Sequence, residues 1–192
     1  MTTSTRHALL VGGSAGIGLG VALSVAPLVT KLTICSRSCP PDLIAIIKAR
    51  NPDADVVFER LDLSLMHEVR KFTTKHAATN FDWIVLTAGF LHLNGRTETV
   101  EGLDDMMGAV YYGRFPWYIR LPVNAMSALF ATTIETCGER MTLALTKDEF
   151  ATGWKLLNER AEEVPKTKFH TDELKDLVWD HTIQTIDDAL KK

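Results

Sequence analysis

Residues 10–20 read LVGGSAGIGLG, an apolar run broken by five glycines between positions 12 and 20. Just before it, residues 7–12 (HALLVG) are a short apolar run of the kind that suits a strand buried on both faces. Just after it, residues 16–26 read as a helix of small and aliphatic residues, stopped by Pro27. Gly12, Gly16 and Gly18 stand between them at G-x-x-x-G-x-G spacing. Such a loop needs glycine for three reasons: a sharp turn, close approach of backbone to a pyrophosphate, and close packing of helix on strand. The helix start then offers unpaired N–H groups and a positive dipole end to phosphate oxygens. The same spacing also serves tight helix–strand packing with no ligand at all. Residues 8–30 carry no charge and are flanked by Arg6 and Lys31, a length that would also cross a bilayer or act as a signal. The glycines divide that stretch into two blocks, so strand, loop and helix fit it better than one continuous span.

Working outward, residues 31–36 (KLTICS) read as a second strand. Pro40 and Pro41 open a helix through Leu43, Ile44, Ile46 and Ile47, since proline suits a first helical turn. Asn51-Pro52-Asp53 is a turn, and residues 55–59 (DVVFE) are a third strand. Ser64 is expected to cap a helix that lines up Met66, Val69 and Phe72, and residues 82–87 (DWIVLT) are a fourth strand. Four strands alternating with three helices over 89 residues predict a parallel sheet with helices on its faces and right-handed crossovers. Beyond Gly89 comes a polar loop with Asn94-Gly95, then a helix from Val100 through Met106, Met107, Val110, Tyr111 and Phe115 to Pro116. Residues 121–134 are apolar without a period, and residues 140–145 (RMTLAL) read as a fifth strand. Thr146-Lys147-Asp148-Glu149 reads as a capping box opening a helix through Trp154, Leu156 and Leu157. Thr171 caps a last helix whose stripe is Leu174, Leu177, Val178, Ile186 and Leu190. The fold class is therefore α/β: a parallel sheet with helices on both faces, plus a C-terminal helical tail.

Composition limits the function. A length of 192 residues fits one domain, and 46% hydrophobic with 23% charged residues excludes disorder. Cys35, Cys39 and Cys137 are too few for a disulfide scaffold and cannot fill a four-ligand zinc site without histidine. A net charge of −3 leaves no positive excess for nucleic acid or an anionic membrane. A soluble, cytoplasmic protein is the expectation, without a metal, with a small-molecule substrate as the partner.

Three further features stand where a dinucleotide needs them. The second strand ends in Ser36-Arg37-Ser38 with no acid there, the first being Asp42. A carboxylate at that point accepts bonds from ribose hydroxyls and favours NAD; Arg37 suits a 2′-phosphate instead, or is a solvated surface arginine. Asp62-Leu63-Ser64 closes the third strand, where Asp62 can accept from an adenine amino group or simply cap the next helix. Thr87-Ala88-Gly89 closes the fourth with small residues against which a ribose can lie, or is a plain turn.

The order LVGGSAGIG, CSRS, LDLS, LTAG resembles the short-chain dehydrogenase/reductase family, as does TETVEGLDDMMGAVYYGRF beside the family's E-D-G-L-E-like segment. RMTLALTKDEFATGWKLLNER and HTDELKDLVWDHT resemble the C-terminal end of fungal members. The resemblance implies a truncated Rossmann-like sheet, residues 1–122 being its NAD(P)-binding half and 123–192 a segment packed on it as one domain. Such a protein moves a hydride between NAD(P)(H) and an alcohol or ketone of a small metabolite, in secondary metabolism for the fungal-like tail. It maps cofactor roles onto Gly12, Ser14, Gly16, Ile17, Gly18, Ser36, Arg37, Asp62, Leu63, Ala88 and Gly89, with NADP(H) preferred from Arg37.

The departures from that pattern are chemical. Val11 replaces the threonine that opens the glycine motif, Leu86-Thr87-Ala88-Gly89 stands for the family's N-N-A-G without its asparagines, and Val110-Tyr111-Tyr112 stands where an active-site asparagine is usual. The family's Y-x-x-x-K places lysine one helical turn from a tyrosine, lowering its pKa for proton transfer. Tyr111, Tyr112 and Tyr118 are followed four residues later by Phe115, Pro116 and Pro122, and no lysine lies between Lys75 and Lys147. Ser127 is the only serine after Ser64. The chain reads as a family N-terminal half joined to a family C-terminal tail near residues 122–138, without the segment carrying serine, tyrosine and lysine. His7, His67, His76, His92, His170 and His181 are scattered with no evident carboxylate or cysteine partner, His92 alone lying near the expected cofactor mouth. Cys35 reads as a small buried hydrophobe, and Trp154 and Trp179 as packing for the tail helices. Two functions follow: an NADP(H)-dependent oxidoreductase with impaired turnover, or a non-catalytic dinucleotide-binding partner of a complete homologue, in a homo- or hetero-oligomer; an inert remnant is the third.

Overall fold

The computed structural model describes residues 5–89, 98–101 and 132–191. Most of the expected helix after Val100, the aperiodic run before Ile134, and the junction at residue 122 lie outside the described residues. So do Tyr111, Tyr112, Tyr118, Ser127 and His92.

Strands β1 (His7–Val11), β2 (Lys31–Ser36), β3 (Asp55–Arg60) and β4 (Trp83–Leu86) form one parallel sheet in the order β3-β2-β1-β4. Their register puts Leu10 between Ile34 and Val85 at the centre of the sheet. Helices α1 (Gly16–Val25), α2 (Leu43–Lys48) and α3 (Met66–Lys75) connect them. Pro27 ends α1 in a 3-10 turn over Ala26–Leu28. The unbroken span that would cross a bilayer is therefore not formed, and no described helix is long and apolar enough to do so.

Side chains alternate across a strand, so a parallel sheet buries both sets and needs helices on each face. Ala8, Leu10, Leu32 and Ile34 pack against Val21, Ala22 and Val25 of α1 and Leu43 and Ile47 of α2. Leu9, Val11 and Cys35 face the other way, onto Leu61 and the α3 residues Val69 and Phe72. Cys35 is fully buried; burial, then the nearby Glu59 carboxylate, push its thiol up to about 12, so it is inert packing as expected.

Two expectations about the C-terminal part are corrected. Residues 140–145 are not a fifth strand but lie inside helix α4 (Ile134–Thr146), capped by the Thr133 side chain. Met141 and Leu145 pack on the core while Leu143 is 40% exposed, so the effective period is four rather than two. The stretch after Thr146 opens no helix through Trp154: Asp148–Phe150 is a single 3-10 turn, and the Thr146 hydroxyl donates back to the Thr142 carbonyl instead of capping forward. Helix α5 (Asp172–Ala189) forms as expected, its Thr171 side chain accepting from the Leu174 amide. Only the C-terminal end of its stripe packs: Ile186 and Leu190 are half-buried beside the buried Ala189, whereas Leu177 and Val178 are more than half exposed. Trp179 is also more than half exposed, and Trp154 stacks under the Lys166 ammonium at 3.9 Å.

Helix α4 lies on α1 at backbone contact. A Cβ on Gly138 would sit 2.2 Å from the Gly20 carbonyl, and one on Gly20 would sit 2.2 Å from the Ile134 oxygen. This crossing anchors the C-terminal segment to the helix that begins at the glycine loop.

At the opposite end of the strands, His7 Nε2 lies 2.8 Å from Thr33 Oγ1, and the His7 ring packs on Phe81 at 4.5 Å. His76 reaches Glu59 at 3.1 Å and also faces Phe81. Burial first, then the Lys31 charge, hold the His7 pKa below its ordinary 6.5. The unfolded chain therefore takes up the His7 proton more readily than the folded one. The His7 contribution to stability is full above pH 6.5 and is lost as pH falls below it. We expect the thermal midpoint to fall between about pH 7 and about pH 5.5. His7→Gln should flatten part of that slope; an unchanged slope in the variant would contradict the assignment.

Candidate functional site

The C-terminal ends of the four strands open into one crevice of about 490 Å3, within the range of small-molecule sites. The sheet order places it where the chain direction reverses. From β1 the connections run outward to β2 and β3 on one side, and β4 returns on the other. Ligands of open α/β sheets bind at such switch points.

Glycine geometry matches three separate requirements. Gly12 has φ of 94°, and a Cβ there would lie 2.5 Å from the Ala88 nitrogen, so only glycine makes this turn beside the end of β4. Gly16 has φ of 54° and meets nothing within 4 Å, leaving bare backbone at the crevice. A Cβ on Gly18 would lie 2.1 Å from the Gly12 oxygen and 2.5 Å from Thr87 Oγ1, so this position is one of helix–strand packing. Ala15 stands at the α1 N-cap, makes no side-chain cap, and no acid follows in the first turn. The positive end of α1 therefore faces the crevice with no carboxylate in its own first turn.

All eleven residues singled out in the sequence line this crevice. Gly12, Ser14, Gly16, Ile17 and Gly18 form its floor from β1 to the first turn of α1, Ile17 being 51% exposed. Ser36 and Arg37 stand at the end of β2, where the Ser36 hydroxyl donates to the Ser38 carbonyl at 2.6 Å. Asp62 and Leu63 form the wall after β3, and Ala88 and Gly89 the wall after β4. Arg37 and Asp62 are the only charged residues among the described lining.

Neither Asp62 nor Ser64 caps α3. The Asp62 carboxylate accepts from the Ser64 amide at 3.0 Å and the Ser64 hydroxyl at 2.7 Å, while the N-cap position is Leu65. The carboxylate that caps α3 comes from Glu101. It accepts from the Met66 amide at 2.5 Å, the His67 amide at 3.0 Å and His67 Nδ1 at 2.6 Å. Glu101 is 5% exposed. Burial works to raise its pKa, and the His67 and Met66 donors override that and hold it below the ordinary carboxylate value. His67 and His76 thus do have carboxylate partners, which the scattered spacing of histidines concealed. Among the described residues no cluster of three metal-ligating side chains occurs.

No family model matches the sequence. The chain is 28% identical over 115 residues to an NmrA-like family domain-containing oxidoreductase, notO, of Aspergillus sp. (strain MF297-2), covering 56% of this chain and 35% of that protein. It is 30% identical over 117 residues to an oxidoreductase of Emericella nidulans, covering 56% and 34%. The chain thus spans about a third of the length of these curated relatives. A metagenomic short-chain oxidoreductase solved with NADP superposes at a TM-score of 0.55, with 17% identity, over 78% of this chain and 94% of that one. The four-stranded parallel sheet and its helices form a Rossmann-like α/β fold, which this chain shares with that short-chain oxidoreductase.

Proposed function

We propose that this chain binds a nicotinamide dinucleotide, NADP(H) in preference to NAD(H), as a short-chain dehydrogenase/reductase-like oxidoreductase acting on a carbonyl or hydroxyl of a small metabolite. The observation that carries the reading is the uncapped start of α1 behind Gly12 and Gly16, opening on a crevice that contains Arg37 and no acid at the end of β2. In this reading the amides of the glycine loop hold the pyrophosphate, and Ile17 offers apolar contact beside it. Arg37 and Ser36 meet the ribose and its 2′-phosphate. Asp62 and Leu63 meet the adenine, and Ala88 and Gly89 let the second ribose lie against backbone. When bound, the nicotinamide ring would supply or accept the hydride. The fungal oxidoreductase relatives support the class of reaction; the role in secondary metabolism rests on the resemblance of residues 140–160 and 170–182 to fungal members. A cytoplasmic location and association with complete homologues belong to the same proposal.

A second reading is favoured by one observation. The sequence carries no Y-x-x-x-K, so the chain binds the dinucleotide without turning over and acts on or through a complete homologue.

Titration with NADPH and NADH tests the cofactor assignment. The wild type is expected to bind NADPH more tightly. Arg37→Ala should lose about 1.5–3 kcal/mol for NADPH and little for NADH, because one charge-assisted contact to the 2′-phosphate is removed. Equal wild-type affinity for the two would end the NADP(H) preference.

A further inference from the structure

The Asp62–Leu65 turn forms the adenine-side wall of the crevice in the reading above, and the inference here rests on that reading. This turn is clasped at both ends by glutamates. Glu68 Oε2 accepts from the Asp62 amide at 2.9 Å, from inside α3. Glu101 takes the amides of Met66 and His67, the first two of the helix, from a segment 35 residues further along the chain. A buried carboxylate is costly unless its lone pairs are filled, and here three donors fill them. A serine or aspartate at position 65 would cap the helix locally without burying a charge; the chain has Leu65 there. What the distant carboxylate adds is a tie between residues 98–101, beyond β4, and the turn after β3, which is one wall of the crevice.

We propose that Glu101 is a positioning residue for the dinucleotide. By fixing the start of α3 it holds Asp62 and Leu63 in the orientation that receives the adenine, so that little ordering remains to be done on binding. Glu68 performs the same role at the other end of the turn. The His67 ring, bonded to Glu101 and itself exposed, completes the clasp from the solvent side.

The test is calorimetric titration of the wild type, Glu101→Gln and Glu68→Ala with adenosine 5′-monophosphate, NADPH and NADH, well below each protein's unfolding midpoint, with amide hydrogen exchange on the free proteins. Glutamine keeps one oxygen and turns an N–H donor toward either the Met66 or the His67 amide, which then lacks its acceptor. Glu101→Gln is therefore expected to weaken all three ligands by about tenfold while leaving the NADPH/NADH ratio unchanged. Exchange should speed up at residues 62–67 and stay unchanged in β1 and β2. If Glu101→Gln does not fold, Glu68→Ala carries the test, with the same pattern at smaller amplitude. Wild-type affinity in both variants would overturn the positioning role alone. Exchange that rises evenly through the protein would overturn it too, since that is what a purely structural cap gives. Failure of the wild type to bind any of the three ligands would overturn the dinucleotide reading, and this role with it.

Discussion

Gly138→Ala is expected to destabilise the chain by about 3 kcal/mol, the upper end of the range for overpacking a closed contact. The atoms its Cβ would strike are the Gly20 carbonyl carbon and oxygen at 2.2 Å and the Val21 nitrogen at 2.8 Å, all backbone of α1. A crowded side chain can rotate away; a helix backbone moves only with its whole helix. To admit one methyl group, α4 must lift from α1, and Met141 and Leu145 must leave the core they now pack against. Gly20→Ala should cost a similar amount, since its Cβ would lie 2.2 Å from the Ile134 oxygen on the same crossing. The two effects should fall short of additive in the double variant, because the helices need to separate only once. Gly153→Ala is the control. Gly153 has φ of 70° but meets nothing within 4 Å, so substitution there carries only the left-handed backbone cost of about 1 kcal/mol. Denaturant unfolding midpoints measure all four. A loss below about 1 kcal/mol for Gly138→Ala would mean that the α1–α4 contact is looser than described.

The same crossing shows why part of the fold was legible in the sequence and part was not. Strands β1 and β2 announce themselves because both faces are buried; β3 and β4 are short apolar runs bounded by turn residues although Ile84 and Leu86 of β4 stay exposed, and all four form at the expected places. The crevice follows from them: once HALLVG is a strand and Gly12, Gly16 and Gly18 follow it, the ends of the other three strands must lie around that loop. That is how eleven residues spread over 78 positions of sequence come to line one cavity. Residues 140–145 misled because Met141, Leu143 and Leu145 alternate as in a strand. The competing stripe, Ile134, Gly138, Met141, Thr142 and Leu145, depends on reading Gly138 as an interface residue rather than a breaker. Nothing local says so; the reason is Gly20, 118 residues away. The α3 cap hid for a similar reason. Ser64 looked like the capping residue because its type and place were right, but Asp62 takes its amide and hydroxyl, and a carboxylate from position 101 does the capping. A cap donated across the fold leaves only a negative trace in sequence, an apolar residue at the N-cap. The carboxylate partners of His67 and His76 share this origin, their separations of 34 and 17 residues being set by tertiary structure.

The largest effect expected is on turnover. The purified chain should transfer hydride from NADPH to ketones about 10²–10⁴-fold more slowly than a complete relative with Y-x-x-x-K, even where it binds NADPH as tightly. The argument is about protons rather than about the cofactor. Reduction of a ketone leaves an alkoxide, and the alkoxide must gain a proton from an acid already in place. A phenol with a pKa near 10 does this poorly at neutral pH unless a cation one helical turn away brings it down. None of Tyr111, Tyr112 and Tyr118 has a lysine or arginine four residues later, and no lysine occurs anywhere from His76 to Thr146. The second contribution, donors aimed at the oxygen as its charge develops, is of comparable size, and Ser127 is the only serine in the C-terminal two-thirds of the chain. No tyrosine follows it. Binding and turnover should therefore come apart: Arg37→Ala changes the affinity for NADPH, while no affinity, however high, restores a missing acid. The measurement is NADPH oxidation against a panel of ketones and quinones, with Tyr111→Phe and Tyr112→Phe beside the wild type. All three proteins are expected to share the same low rate. A rate near that of a complete relative, abolished by one of the two substitutions, would show instead that this tyrosine has become the acid without a lysine beside it.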